Sequence, residues 1–469
     1  MPRADALGGL LTILSLFSIL SFEFTAAPLP ALLAGLVPLL AVCVLAPGTR
    51  TTSRLFLLLG AALFLLAVVG RPDWAEGVMR ALRNGGFVIA LMAALGMIRA
   101  AAMGSARIVD CGRFLTRQPP GLRYLALTVG GHLFGLVLLY GSIALLGSLA
   151  AESTRDEPDA VRRTIRLRRM MLAVQRGFVA TLCWSPIAFS LALSVALVPG
   201  ASWAEAAVPC FVSGLLMMTT GWVLDWLFKP RRPPAPMTAE PALRVLGWFA
   251  HLWPLLALLA VVVAGASVIY WLSGQEIVVA VMAMVPLISL GWIALQAPRP
   301  NPVRATIARA GAFVGRELPG MRNELVLLFM AGFIGSLGSF LLVPVLQAWG
   351  LDLSGVPPML LVLSMIWLIP LTGQLGMNPI LSVSLIIPIL PDPAAMGLHP
   401  VVLVAAITAG WAISGATSPF TASVLWAASL GNVGPRRLGL VWNGGFAAVS
   451  GGVIALWVVA LSWLMAAPA

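Results

Sequence analysis

The stretch Gly177-Phe-Val-Ala-Thr-Leu-Cys-Trp-Ser-Pro-Ile-Ala-Phe-Ser190 returns as Gly410-Trp-Ala-Ile-Ser-Gly-Ala-Thr-Ser-Pro-Phe-Thr-Ala-Ser423. The glycine, the Ser-Pro pair and the closing serine fall at the same offsets, 233 residues apart. Each copy sets a helix breaker inside an otherwise apolar segment. Proline removes a backbone donor and clashes with the preceding turn, so nearby carbonyls and amides lose their helical partners. Hydrocarbon cannot satisfy those groups, and such breaks persist only where they are buried in protein or line a watery cavity. Two matched broken helices, one in each half of a chain, are the sequence mark of a secondary transporter's binding site.

Composition leaves no soluble reading. Of 469 residues, 60% are hydrophobic and 10% charged, and the mean hydropathy is +0.99. Apolar runs of the roughly 20 residues needed to cross a bilayer recur from end to end. The first, near 7–22, lacks a small-residue cleavage site and is read as part of the mature chain. The four cysteines and three histidines show no metal-ligand spacing.

The net charge of +12 does not point to nucleic acid, because the basic residues sit in short loops between spans. With a cytoplasmic N-terminus, inside segments hold 26 of the 29 Lys and Arg residues; only Arg71, Arg80 and Arg83 fall outside. This arrangement has a consequence. Regions 99–123 and 152–176 are both basic, yet a single apolar stretch separates them, so a re-entrant hairpin over 124–150, with its tip near Gly130–Gly135, is expected. A counterpart over 357–390 bends near Thr372–Pro379 between flanks that lack Lys and Arg, which places its mouth on the opposite face.

An all-α polytopic membrane protein follows, with about 11 transmembrane helices, two oppositely oriented re-entrant hairpins and inverted-repeat topology. Residues 1–71 supply leading spans, taken as scaffold. Repeat one (72–227) holds an amphipathic stretch at 72–83, a span, the inward hairpin and the broken helix 171–199. A basic, proline-rich linker and a span fill 228–275. Repeat two (276–469) holds an amphipathic stretch at 303–320, the outward hairpin and the broken helix 398–430.

Polar groups at membrane depth in these breaks and tips are the candidate substrate and ion ligands: His132, Ser185, Ser190, Gln374, Asn378, Thr417, Ser418 and Ser423. Amides at helix N-termini suit an anion; unwound carbonyls and hydroxyls suit a small cation such as Na+, expected near Gly376, Asn378 and Ser418. Gly177, Pro186, Pro379, Gly410 and Pro419 mark the hinges and helix breaks. The alternatives are structural. Ser190 and Ser423 can equally bond their own backbone. His132, placed at the inward tip opposite Gln374, can equally serve as a donor between helices. Arg176 reads as a cytoplasmic topology anchor, with anion contact as the other role. Asp225, near the Lys229 loop, reads as an interfacial ion-pair partner rather than a proton relay. The scarcity of acids favours sodium over protons as coupling ion, and no other cofactor is expected.

The pattern resembles the ion transporter superfamily, which includes the divalent anion/sodium symporters and the arsenite efflux carriers. Of the symporters' Ser-Asn-Thr hairpin tips, Gly376-Met-Asn378-Pro379 keeps the asparagine, and Gly131-His132-Leu-Phe-Gly135 keeps none of the three. The resemblance implies a homodimer in which hairpins and broken helices form a transport domain moving as an elevator against a scaffold.

The functional expectation is a secondary carrier, not an enzyme, for a small organic or inorganic anion, coupled to Na+ or H+. Alternatives are an exporter of a neutral or weakly acidic solute and, further off, a membrane-embedded enzyme of lipid or glycan metabolism. One lysine against 28 arginines indicates a GC-rich bacterial genome. The expected setting is therefore the lipid bilayer of a bacterial inner membrane, with the N-terminus cytoplasmic and the C-terminus periplasmic.

Overall fold

The computed structural model describes residues 2–186, 188–229, 247–297, 301–348, 353 and 355–466. The proline-rich linker from 230 to 236 and part of the flank that precedes the second hairpin, 349–352, lie outside the described residues. No strand occurs among the described residues. In chain order the helices are α1 (Pro2–Thr25), α2 (Pro28–Leu45), α3 (Thr51–Gly70), α4 (Trp74–Met103), α5 (Ala106–Thr116), α6 (Pro120–Leu138) and α7 (Gly141–Thr154). They continue with α8 (Ala160–Thr181), α9 (Phe189–Leu197), α10 (Trp203–Leu227), α11 (Trp248–Ser273), α12 (Ile277–Gln296) and α13 (Pro302–Ala312). The last are α14 (Leu318–Gly320), α15 (Arg322–Ala348), α16 (Pro358–Gln374), α17 (Pro379–Ile386), α18 (Pro400–Thr417), α19 (Ala422–Leu430) and α20 (Gly444–Leu464).

Among the described residues, eleven helices are long and apolar enough to cross a membrane, as a polytopic membrane protein requires. Their membership differs from the expectation at one place. The run Gly121–Leu138 of α6 qualifies, whereas the first broken helix does not, because α8 starts at Ala160 and carries five arginines in its first ten residues. Asp159 caps that basic start, accepting from the amides of Val161 and Arg162 at 2.9 and 3.2 Å.

Several local expectations are corrected. The amphipathic stretch 72–83 is no separate element; α4 runs unbroken through it into the span. The basic region 99–123 contains the amphipathic helix α5, whose Ile108, Cys111, Phe114 and Leu115 are buried. The tip of the first hairpin lies at Leu139-Tyr140, not at Gly130–Gly135. The glycines misled because they serve packing: a Cβ on Gly131 would stand 2.4 Å from the carbonyl oxygen of Val174 on α8. Both arms, α6 and α7, lie against α5 and α8, so the chain doubles back after Leu139.

Two compact units emerge, each drawing on both repeats. One comprises residues 1–101, 261–355 and 380–391; the other, 102–260, 356–379 and 392–469. In the first unit α1 packs on α2, and α15 packs on α3. These helices present apolar side chains such as Leu58, Leu65 and Val69 outward, as a lipid-facing surface must. The second unit is built around α18, in which every residue from Val401 to Thr417 is buried. Against it lie α8, α9, α10, α16, α19 and α20.

Candidate functional site

Both copies of the Ser-Pro motif form the same break. In the first, α8 ends at Thr181 and α9 begins at Phe189; in the second, α18 ends at Thr417 and α19 begins at Ala422. The amide of Ser185 donates to the Thr181 carbonyl and that of Ala188 to the Ser185 carbonyl. The equivalent bonds, Ser418 amide to Ser414 and Thr421 amide to Ser418, recur 233 residues on. The closing serines complete the match. The Ser190 hydroxyl donates to the Leu182 carbonyl, and the Ser423 hydroxyl to the Gly415 carbonyl, each eight residues back. Proline leaves carbonyls without helical donors, and these hydroxyls satisfy one in each copy. Ser190 and Ser423 therefore fasten the breaks.

Each broken helix is crossed by the first arm of its own repeat's hairpin. A Cβ on Gly177 would lie 2.0 Å from the Thr128 carbonyl oxygen of α6, and one on Gly410 would lie 2.5 Å from that of Met365 on α16. Only glycine admits a backbone that close. The tips also correspond. Leu139 (φ 50°) ends the first arm of one hairpin, and Gly376 (φ 90°) stands in the turn of the other. The tip region 373–376 meets the second break: the Ser418 hydroxyl donates to the Gly373 carbonyl at 2.7 Å, and Phe420 lies beside Gly376. The second unit thus gathers Gly373, Gly376, Thr417 and Ser418 in one place, with Gln374 and Asn378 half-buried in the same turn. The Thr417 hydroxyl is turned back onto its own helix, to the Ile413 carbonyl at 2.8 Å. Ser185 is buried at the first break.

His132 is not at a tip. It lies within α6, facing the first broken helix, and bridges two fixed partners. The Trp184 indole N–H donates to His132 Nε2 at 3.2 Å, and His132 Nδ1 lies 3.2 Å from the Gly177 carbonyl. An indole can only donate and a carbonyl can only accept, so the pair demands a neutral ring protonated on Nδ1. His132 is a strut between α6 and the break.

The most connected polar cluster joins Arg176, read from the sequence as a topology anchor or an anion contact, to Asn443, which no sequence motif marks. Arg176 is no surface anchor: it is 6% exposed and donates to Asn443 Oδ1 (3.0 Å), the Tyr124 hydroxyl (3.1 Å) and the Trp442 carbonyl (3.2 Å). Its guanidinium also stacks 4.5 Å from the centre of the Phe446 ring. Asn443 in turn donates to Gln175 Oε1 (2.9 Å) and to the Ala416 carbonyl (3.1 Å) in the last turn of α18. The network ties the first broken helix to the end of the second. Its sequence signal was the pair Gln175-Arg176, set immediately before the motif glycine. Asp225 does form an ion pair, with Arg169 of α8 at 2.5 and 2.7 Å rather than with the Lys229 loop.

The electrostatics follow from helix ends. Helices α6, α8, α16 and α18 bring C-terminal carbonyls to the breaks and tips, while α9 and α19 begin there with no side-chain cap on their N-terminal amides. Uncapped amides carry partial positive charge and suit an anion; the carbonyl ends suit a cation. No cluster of three or more His, Cys, Asp or Glu able to hold a metal occurs among the described residues. The oxygens near Gly376, Asn378 and Ser418 are carbonyls, an amide and a hydroxyl, donors of the type a sodium ion takes.

No protein-family model matches the chain, and no curated protein matches it in sequence. Solved structures do match its fold. The YdaH transporter of Alcanivorax borkumensis, described as having an unusual topology, superposes with a TM-score of 0.56 at 18% identity, over 87% of this chain and 98% of that one. MtrF of Neisseria gonorrhoeae, described as illuminating a class of antimetabolite efflux pumps, superposes with a TM-score of 0.56 at 15% identity, over 87% and 95% of the two chains. The chain has the fold of these membrane transporters. These matches show a membrane-transporter fold and not the ion transporter superfamily specifically.

Proposed function

We propose that the chain is a secondary active transporter that carries a small organic or inorganic anion across the bacterial inner membrane. The observation that carries this reading is the duplicated break, with the same hydrogen bonds in both copies and uncapped half-helix N-termini at each. Such paired discontinuities at membrane depth are what an alternating-access site is built from. The transporter fold neighbours support the same reading. Anion recognition falls to the amides opening α9 and α19, with Ser185, Ser418, Gln374 and Asn378 supplying polar contacts. Sodium coupling draws on the carbonyl-rich corner at Gly376, Asn378 and Ser418. The His132 bonding pattern, which holds the ring neutral, favours sodium over protons. An elevator movement of a homodimer, with the N-terminus cytoplasmic, completes the proposal.

A second reading, export of a neutral or weakly acidic solute, is favoured by the efflux role described for MtrF.

The deciding experiment is thermal melting in detergent across a panel of anions and neutral metabolites, in sodium or potassium, followed by flux in proteoliposomes. A ligand bound only by the folded state raises the melting temperature by mass action. Stabilisation by one anion class, strengthened by sodium and followed by sodium-dependent flux, is expected. Stabilisation by neutral solutes alone, with no response to anions, overturns the anion reading in favour of the exporter.

A further inference from the structure

The first compact unit holds a cavity that the transport reading does not use. It measures about 660 Å³, within the range of about 300–1,000 Å³ typical of small-molecule sites. Its walls come from the first turn of α1 and from the stretch running from the end of α13 to the start of α15, which passes through a π-helical turn, Phe313–Glu317. Such turns are frequent at functional sites. Gly311, Gly315 and Gly320 face it, and a Cβ on any of them would meet no atom within 4 Å.

The charges on its walls are unequal. Asp5 is neutralised by Arg322 at 3.1 Å, and neighbouring Glu317 is taken by Arg309. Arg316 is exposed and, among the described residues, makes no hydrogen bond or ion pair. The cavity therefore keeps one unmatched guanidinium, the side chain best shaped to grip a phosphate through paired N–H groups. Beside it α13 exposes apolar side chains, Val303 at 71% and Ile307 at 67%. An amphipathic helix joining two membrane spans, with apolar side chains bared next to a cationic hollow, is the geometry of a membrane interface.

We propose that this cavity binds the phosphodiester headgroup of an anionic phospholipid, with Arg316 on the phosphate and the acyl chains lying along Val303 and Ile307. The proposal is independent of the transported solute.

It is tested on the full-length protein by native mass spectrometry, titrating dioleoylphosphatidylglycerol against dioleoylphosphatidylcholine, with glycerol 3-phosphate as the soluble headgroup control. Arg316→Gln removes the charge, and Gly315→Leu fills the hollow while keeping it. Wild-type protein is expected to prefer phosphatidylglycerol, and Arg316→Gln to weaken that binding about fivefold, the contribution of one basic residue near a lipid surface. Gly315→Leu is expected to weaken it as well, with phosphatidylcholine binding unchanged in both variants. Equal binding of the two lipids, or full phosphatidylglycerol affinity in either variant, overturns the proposal. Competition by glycerol 3-phosphate at the lipid's own affinity also overturns it, showing a soluble-anion site instead.

Discussion

Ser190 and Ser423 differ from Ser418 in what their hydroxyls do. The first two spend theirs on carbonyls eight residues back in their own broken helix, whereas Ser418 reaches across to the hairpin. Ser418→Ala is thus expected to cost about 1 kcal/mol of stability or less, the usual scale of an interhelical bond in a membrane, while flux in proteoliposomes falls sharply. Unimpaired flux in a normally folded Ser418→Ala protein removes that residue from the site. Asn443→Ala acts differently. It strips partners from Arg176, Gln175 and the Ala416 carbonyl at once, and the buried groups left behind should cost about 2 kcal/mol or more. Thermal melting reads this directly; a melting temperature equal to wild type contradicts the network's structural role. Cys111 supplies a pH test. Burial pushes its thiol up to about 12, so the reactive thiolate is scarce at neutral pH. Maleimide should label it slowly in the folded protein, faster as pH rises, and readily after denaturation.

At the level of elements, the crossings at Gly177 and Gly410 set how closely each hairpin arm approaches its broken helix. Gly177→Ala drives a methyl group into the Thr128 carbonyl and should destabilise by about 2 kcal/mol or more through overpacking. Gly452→Ala, on the open face of α20, meets no atom within 4 Å and should be neutral or slightly stabilising, as alanine is in a helix. Equal effects from the two substitutions would remove the crossing as the explanation. The prolines act on the breaks themselves. Pro419→Ala restores an amide, lets α18 run toward α19, and should hold or raise the melting temperature while flux drops.

For the whole molecule, reading α6 and α7 as a re-entrant hairpin demands that residues on either side of the pair share one membrane face. Arg117 and Arg155 are exposed at its two ends. Cysteines placed at both positions should react with a membrane-impermeant maleimide from the same side. Cys111, Cys183 and Cys210 are buried, so only Cys43 needs replacement first. Labelling from opposite sides would turn α6 into a full span and dissolve the inverted repeat.

The sequence by itself determined the membrane class, the two breaks and the matching hydrogen-bonded motif that relates them, because each is written in local chemistry. Apolar run length, proline and glycine offsets and arginine distribution act within a few residues of where they stand. It failed where a residue's role depends on what crosses it. Gly130 and Gly131 look like a turn in one dimension and are helix contacts in three. His132 looked like a tip residue until Trp184 and Gly177 closed around it. Arg176 looked like an anchor because its partners, Tyr124 and Asn443, lie 52 and 267 residues away. Only the tertiary structure brings such groups together, since a buried hydrogen bond is set by distance in space and not by spacing along the chain.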